Sequence, residues 1–414
     1  MRPPTPLTAT VSVLMLSTAM FGWTNGNMNT PAVVVRESLG IPADRAFPER
    51  EVTWAWCVSV YCVGALFGCL TSAPGADVMG RRAFLLITSC LFVLGAGLQT
   101  AAICGGPDGV RWTIIGRLVV GVASGSTTVL VPAYLSEIAP DEIRGALGVG
   151  FQLVVTISML VAQVVGMPAA LGTPALWPAV MALAGFPAVP QLLLASRVVE
   201  SPRWLAHVGR RKEAEAASLL LAGKAQGASY AELESPDAAP VAEPERPQAG
   251  PAPTVRSIFE TPELRGPFIL IVATLVTQQL SGINNAFNYS TIYLEQNGVD
   301  PKSGAAVTVA MNLINVAATV AAAWLCDRAG RKLLLVASAF AMALFAALIT
   351  AGMAHLDQPW GTSLALTSIV LFVASFGLGL GPIPWLLAGE LFPQSHRPPL
   401  RGPRPCATGP PTAS

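Results

Sequence analysis

Five side-chain amides fall between positions 278 and 288: Gln278, Gln279, Asn284, Asn285 and Asn288. Each amide both donates and accepts hydrogen bonds. They follow an apolar run from Phe268 to Val276, which carries them to membrane depth. There, each costs free energy unless it finds a partner. A neutral, hydroxyl-rich ligand has the matching need, because every hydroxyl also donates and accepts. Polar side chains in membrane bundles also serve as helix–helix glue. A cluster of five around Ser281-Gly282 favours a binding role instead.

On a straight helix Gln278 and Asn285 share a face, whereas Gln279 and Asn284 do not. Bringing them to one ligand requires local unwinding, and Ser281-Gly282 is where it is expected. Broken helices near the bilayer midplane mark binding sites in transporters.

Other chemistries find no support. The three histidines (His207, His355, His396) lie far apart, and the seven cysteines are scattered without metal-ligand spacing. No paired acids or nucleophile contexts occur within the apolar runs. No metal, no cofactor and no enzymatic activity are expected. The net charge of +1 and the lack of a basic patch argue against nucleic acid. No obligate protein partner is evident.

The elements that must hold the amides are membrane helices. Of 414 residues, 52% are hydrophobic and only 12% charged, where a soluble domain carries about twice that charge. Runs of about 20 apolar residues span a bilayer as helices. Ten are counted: 8–30, 53–73, 84–104, 112–134, 146–170, 176–196, 267–293, 304–326, 333–354 and 363–388. The fold class is therefore an all-α membrane protein. Residues 1–196 form a first six-helix unit. Residues 197–264 form a cytoplasmic linker, helical around Arg210 to Gly223 and then a flexible Pro/Ala/Glu-rich connector. Residues 265–392 hold four further helices, and 393–414 form a Pro/Arg-rich tail expected to be disordered. The N-terminus lacks the pattern of a cleaved signal peptide. The loops after the second, fourth, sixth and eighth spans carry most of the Arg and Lys, which places them and both termini in the cytoplasm. With no organelle address, the plasma membrane is the default location.

The chain repeats itself. Asp77-Val78-Met79-Gly80-Arg81-Arg82 recurs 250 positions later as Asp327-Arg328-Ala329-Gly330-Arg331-Lys332. Glu137 and Arg144 recur 253 positions later as Glu390 and Arg397. These read as two parallel units with matched charges. Arg81, Arg82, Arg331 and Lys332, together with Asp327, Arg144 and Arg397, are expected to form a cytoplasmic charge latch with Glu137 and Glu390. Such pairs are individually modest, so they can break and reform in a conformational cycle.

At this point the residues resemble a known family. Gln278 to Asn284, Glu200-Ser201-Pro202-Arg203-Trp204-Leu205, Gly116-Arg117, Asp327 to Lys332 and Gly381-Pro382-Ile383-Pro384-Trp385 are similar to motifs of the sugar porters of the major facilitator superfamily. The facilitative glucose transporters are the nearest likeness, from about Met20 to Arg397. The resemblance implies two six-helix halves, a central sugar site and alternating access. Only ten spans are counted here, so the second half is short by two and the chain reads as truncated after the tenth helix. By the same resemblance, Gln152, Gln278, Gln279, Asn284 and Asn315 bind the sugar and Trp385 stacks on it. The placement is physically sensible. Gln152, Thr156, Met159 and Gln163 share one helical face, Asn312 and Asn315 share another, and Trp385 can cover the apolar face of a pyranose.

Departures from the pattern carry information. Proton-coupled members have an Asp in the first span, where this chain has Thr24. That absence points to uniport. Val78 stands where the family has Arg, and Gly377 where it has Glu. Leu275-Val276-Thr277 matches neither the glucose-type nor the fructose-type pattern, so the particular hexose stays open. The reading is facilitative transport of a hexose such as glucose. A transporter-like sugar sensor and a non-functional truncated transporter are the alternatives.

Overall fold

The structure is a computed structural model, which describes residues 6–41, 48–103, 108–222, 262–287, 301–355 and 358–390. Among these, all regular secondary structure is helical. The amino-terminal helices are α1 (Pro6–Gly26), α2 (Ala32–Ser38), α3 (Pro48–Met79), α4 (Arg81–Ala101), α5 (Gly109–Ile138), α6 (Asp141–Val165), α7 (Trp177–Ala182) and α8 (Ala188–Leu193). Two short helices follow, α9 (Pro202–His207) and α10 (Arg211–Ala222). The carboxy-terminal helices are α11 (Pro262–Leu280), α12 (Pro301–Ala329), α13 (Arg331–Met353), α14 (Pro359–Leu378) and α15 (Ile383–Glu390). Within residues 197–264, α9 and α10 are helical, and α10 falls on the stretch around Arg210 to Gly223. The connector after it and the tail lie outside the described residues.

Among the described residues, eight helical segments are long and apolar enough to cross a membrane. The other two expected spans are interrupted within their described residues. The sixth is the shorter apolar stretch Trp177–Leu193, in which α7 gives way to a 3-10 turn at Leu183–Gly185 before α8. Pro187 and Pro190 deny the backbone hydrogen bonds that a continuous helix would need. The seventh is α11, which stops at Leu280. The chain turns at Ser281 and Gly282 and is helical again over 283–287. Gly282 has φ +83°, a conformation that an L-residue with a side chain rarely adopts.

The repeat has a backbone counterpart. Gly80 (φ 92°, ψ 157°) precedes α4 and Gly330 (φ 83°, ψ 153°) precedes α13. Both turn the chain sharply between two antiparallel spans.

The bundle keeps many small polar groups inside and turns large apolar side chains outward, as a lipid surround allows. Leu66, Phe67 and Leu70 on α3, and Leu333, Val336 and Phe340 on α13, are exposed. Ser72, Ser124, Ser126 and Thr127 are buried. Small residues let α3 and α5 meet backbone to backbone, and a Cβ on Gly125 would lie 2.0 Å from the Ala65 carbonyl oxygen. The two sets of helices meet mainly through α6, which packs on α12 and α15. Met159 of α6 is buried in a cluster with Ile283, Phe287, Met311 and Phe376.

Candidate functional site

The amides of α11 sit at two helix breaks. α14 ends at Leu378, and α15 begins at Ile383 beyond Gly379, Leu380, Gly381 and Pro382. A break leaves carbonyls without helical partners. Gln278, buried, donates both amide hydrogens to them: Nε2 lies 2.8 Å from the Leu380 oxygen and 3.0 Å from that of Gly381. Ser338 Oγ accepts from the Leu380 N–H at 2.9 Å. In this conformation Gln278 is therefore a tether, and only its Oε1 faces other polar groups. That oxygen accepts from Gln279 Nε2 at 3.4 Å, and Gln279 Oε1 accepts from Asn284 Nδ2 at 2.8 Å. The break brings Gln278, Gln279 and Asn284 into one chain of hydrogen bonds, which a straight helix would have separated. Asn285 is exposed, and Asn288 lies outside the described residues.

Gln152 is buried on α6. Asn315 of α12 is fully buried, and neither its Oδ1 nor its Nδ2 has a hydrogen-bond partner among the described residues. Gly377 stands against it: a Cβ there would lie 2.8 Å from Asn315 Oδ1. Trp385 of α15 is half-buried and meets Phe151 of α6, ring centroids 5.6 Å apart and planes at 53°.

In the amino-terminal helices Arg81 and Glu137, two of the residues expected to form the latch, are in contact. Arg81 Nη2 donates to Glu137 Oε1 at 2.9 Å and Nε to Oε2 at 3.1 Å. Arg81 Nη1 reaches Asp77 Oδ1 at 2.8 Å. Glu200 completes the cluster by accepting the backbone N–H groups of Arg81, at 3.1 Å, and of Arg82. Those are unpaired first-turn donors of α4, and a carboxylate suits them. In the second repeat Arg331 donates to the Cys326 carbonyl at 2.9 Å, and Lys332 is exposed. The side chains of Arg144, Asp327 and Glu390, and all of Arg397, lie outside the described residues.

Sequence reasoning did not assign roles to Glu200 or Arg117, although both stand in motifs it quoted. Arg117 is buried within the membrane helices. It donates to the Thr24 carbonyl at 2.8 Å and the Val58 carbonyl at 3.4 Å, lies 3.5 Å from Asn27 Oδ1, and sits over the Tyr61 ring at 4.6 Å. Carbonyl dipoles and the ring face offset the desolvation of the guanidinium.

Multiple membrane helices, two of them broken beside buried amides, make up the architecture of a membrane carrier. Comparisons with known proteins agree. The family model described as "Sugar (and other) transporter" matches residues 9–400. The facilitated glucose transporter member 3 of Oryctolagus cuniculus is 33% identical over 396 residues, which cover 94% of this chain and 78% of the relative. Member 4 of Mus musculus is 35% identical over 397 residues, covering 93% and 76%. The fold is similar to that of the xylose transporter XylE from E. coli in a partially occluded inward-open conformation. The TM-score is 0.74 at 23% identity, covering 94% of this chain and 86% of that one. The proton:xylose symporter XylE bound to 6-bromo-6-deoxy-D-glucose gives a TM-score of 0.73 at 23% identity, covering 94% and 82%. This chain belongs to the sugar transporter family, with the major facilitator fold. It is a multi-pass membrane transporter, not an enzyme.

Proposed function

We propose that this chain carries a hexose such as glucose down its gradient by alternating access. The observation that carries the reading is the hydrogen-bonded chain Gln278–Gln279–Asn284 at the α11 break. It offers amide donors and acceptors to a ligand that must itself supply both. Gln152 and Asn315 add further amides from α6 and α12, and Trp385 offers an aromatic face. The relatives' names, facilitated glucose transporters, support the substrate class.

Uniport is supported by the first span. α1 contains no acidic residue, and Arg117 bonds there to the Thr24 carbonyl rather than to a carboxylate on that helix. A carrier that cycles a proton needs a group that titrates along the path, and Thr24 does not. The basic turns at Arg81 and Arg331 orient that end of the bundle to the cytoplasm, with the plasma membrane as the default location. The Arg81–Glu137–Glu200 cluster ties the cytoplasmic ends of the amino-terminal helices to one another.

The test is uptake of labelled hexose by the purified full chain in liposomes, with and without an imposed proton gradient. The expected result is equilibration that the proton gradient does not drive uphill and that Asn284→Ala and Gln279→Ala weaken. Accumulation above equilibrium under the gradient overturns uniport. Uptake untouched by either substitution overturns the site.

A further inference from the structure

Gln163 of α6 and Asn312 of α12 meet across the two sets of helices. Asn312 Nδ2 donates to Gln163 Oε1 at 2.6 Å. Both side chains are fully buried. Each spends one end on the other and leaves the second end unpaired: Gln163 Nε2 and Asn312 Oδ1 have no hydrogen-bond partner among the described residues. One helical turn along α12, Asn315 leaves both of its polar atoms unpaired as well. Four buried polar atoms thus stand open on adjacent positions, two amide nitrogens that donate and two oxygens that accept.

Leaving such atoms dry is costly, and native proteins rarely do it without a reason. The set selects its occupant by chemistry. A carboxylate would satisfy only the donors, and an ammonium only the acceptors. A hydroxyl donates once and accepts, so two hydroxyls on one neutral molecule satisfy all four atoms. The position is also built. Thr30 Oγ1 donates to the Gln163 backbone oxygen at 2.9 Å, and the Thr308 carbonyl accepts from Asn312 Nδ2 at 3.3 Å. The first bond anchors Gln163 through its backbone and the second anchors the Asn312 amide itself.

We propose that Gln163 and Asn312 are a second hydroxyl-binding station for the carried sugar. It continues from Asn315 toward the end of the bundle away from Arg81. Gln163 lies eleven residues beyond Gln152 on α6, about 16 Å along the helix at 1.5 Å per residue. The station therefore extends the path rather than duplicating the position of Gln152. The inference rests on the hexose reading above and adds to it two residues that discriminate among sugars by their hydroxyls.

The test is equilibrium competition by a hexose and its monodeoxy analogues on the purified full chain. It compares the unmodified protein with Asn312→Leu and Gln163→Leu, which replace the amide with an apolar side chain. On the unmodified protein, the analogue lacking the hydroxyl that reaches the station is expected to bind about tenfold weaker than the parent sugar. On either variant the parent sugar should fall by a similar factor, and that analogue should fall no further. Equal weakening of every sugar would assign the pair to holding the helices together and overturn the station. No change for any sugar would assign the open atoms to water alone and overturn it too. If the leucine variants do not fold, Asn312→Ser carries the same comparison with the same two outcomes. An unmodified protein that binds none of the sugars overturns the hexose reading itself, and this failure is distinct because it precedes any substitution.

Discussion

Arg81 holds Glu137 with two parallel hydrogen bonds, Nη2 to Oε1 at 2.9 Å and Nε to Oε2 at 3.1 Å. The two side chains come from the start of α4 and the end of α5 and are 15% and 14% exposed. That burial distinguishes them from a surface ion pair, which contributes little. The forked geometry matches guanidinium to carboxylate and adds direction to the attraction.

Breaking this pair should be costly on either side. Arg81→Ala and Glu137→Ala are each expected to destabilise the folded protein by about 1–3 kcal/mol. The double variant should lose less than the sum. Thermal unfolding in detergent reads both quantities. Fully additive losses would mean the two residues act independently and would remove the latch.

The two repeat glycines should differ in their tolerance of a methyl group. At Gly80 and Gly330 the positive φ alone costs an alanine about 1–3 kcal/mol. Gly80 carries a further burden, since a Cβ there would lie 2.7 Å from Glu200 Oε2 and 3.0 Å from the Trp204 ring, whereas at Gly330 nothing among the described residues lies within 4 Å. Gly80→Ala is therefore expected to lower the melting temperature more than Gly330→Ala. Equal shifts would show that the contact with Glu200 and Trp204 adds nothing.

The crossing of α3 and α5 depends on small residues. Gly125→Ala places a Cβ 2.0 Å from the Ala65 carbonyl, while at Gly97 nothing among the described residues lies within 4 Å. Backbone cannot swing aside as a side chain can, so Gly125→Ala must push the two helices apart. Size-exclusion chromatography should show loss of the monodisperse species for Gly125→Ala. Gly97→Ala should be neutral, or more stable by up to about 1 kcal/mol from helix propensity. A well-behaved Gly125→Ala protein would contradict the close crossing.

Gly377 should tune sugar affinity through Asn315. A methyl there would meet Asn315 Oδ1 at 2.8 Å and the Asn315 backbone oxygen at 2.9 Å. Gly377→Ala is expected to raise the KM for hexose uptake about tenfold, with a smaller change in kcat, because a displaced amide misplaces its hydrogen bonds. An unchanged KM would detach Asn315 from the site.

Much of this was legible in the chain itself. Apolar runs announced the spans, since in lipid a helix is the simplest way to satisfy every backbone group within one segment. Ser281-Gly282 announced the break in α11, and the recurring Asp-to-Arg/Lys text announced two like turns. Glu137 stood out from matched spacing alone, and the structure sets it against Arg81. The interruption of the sixth span was written in Pro187 and Pro190 but was masked by the apolar run around them.

What could not be read was which polar group meets which. Gln278 looked free to serve a ligand, yet its hydrogens go to carbonyls freed by a break 102 and 103 positions away. Glu200 reaches back 119 positions to the N–H of Arg81. Gln163 and Asn312, 149 positions apart, meet only where α6 crosses α12. The sequence by itself determined helices, breaks and turns, because backbone preference and transfer to lipid are settled within a few turns of chain. Only the tertiary structure decided the partners of the buried amides. A hydrogen bond has a reach of about 3 Å, and which groups come that close depends on how the helices pack.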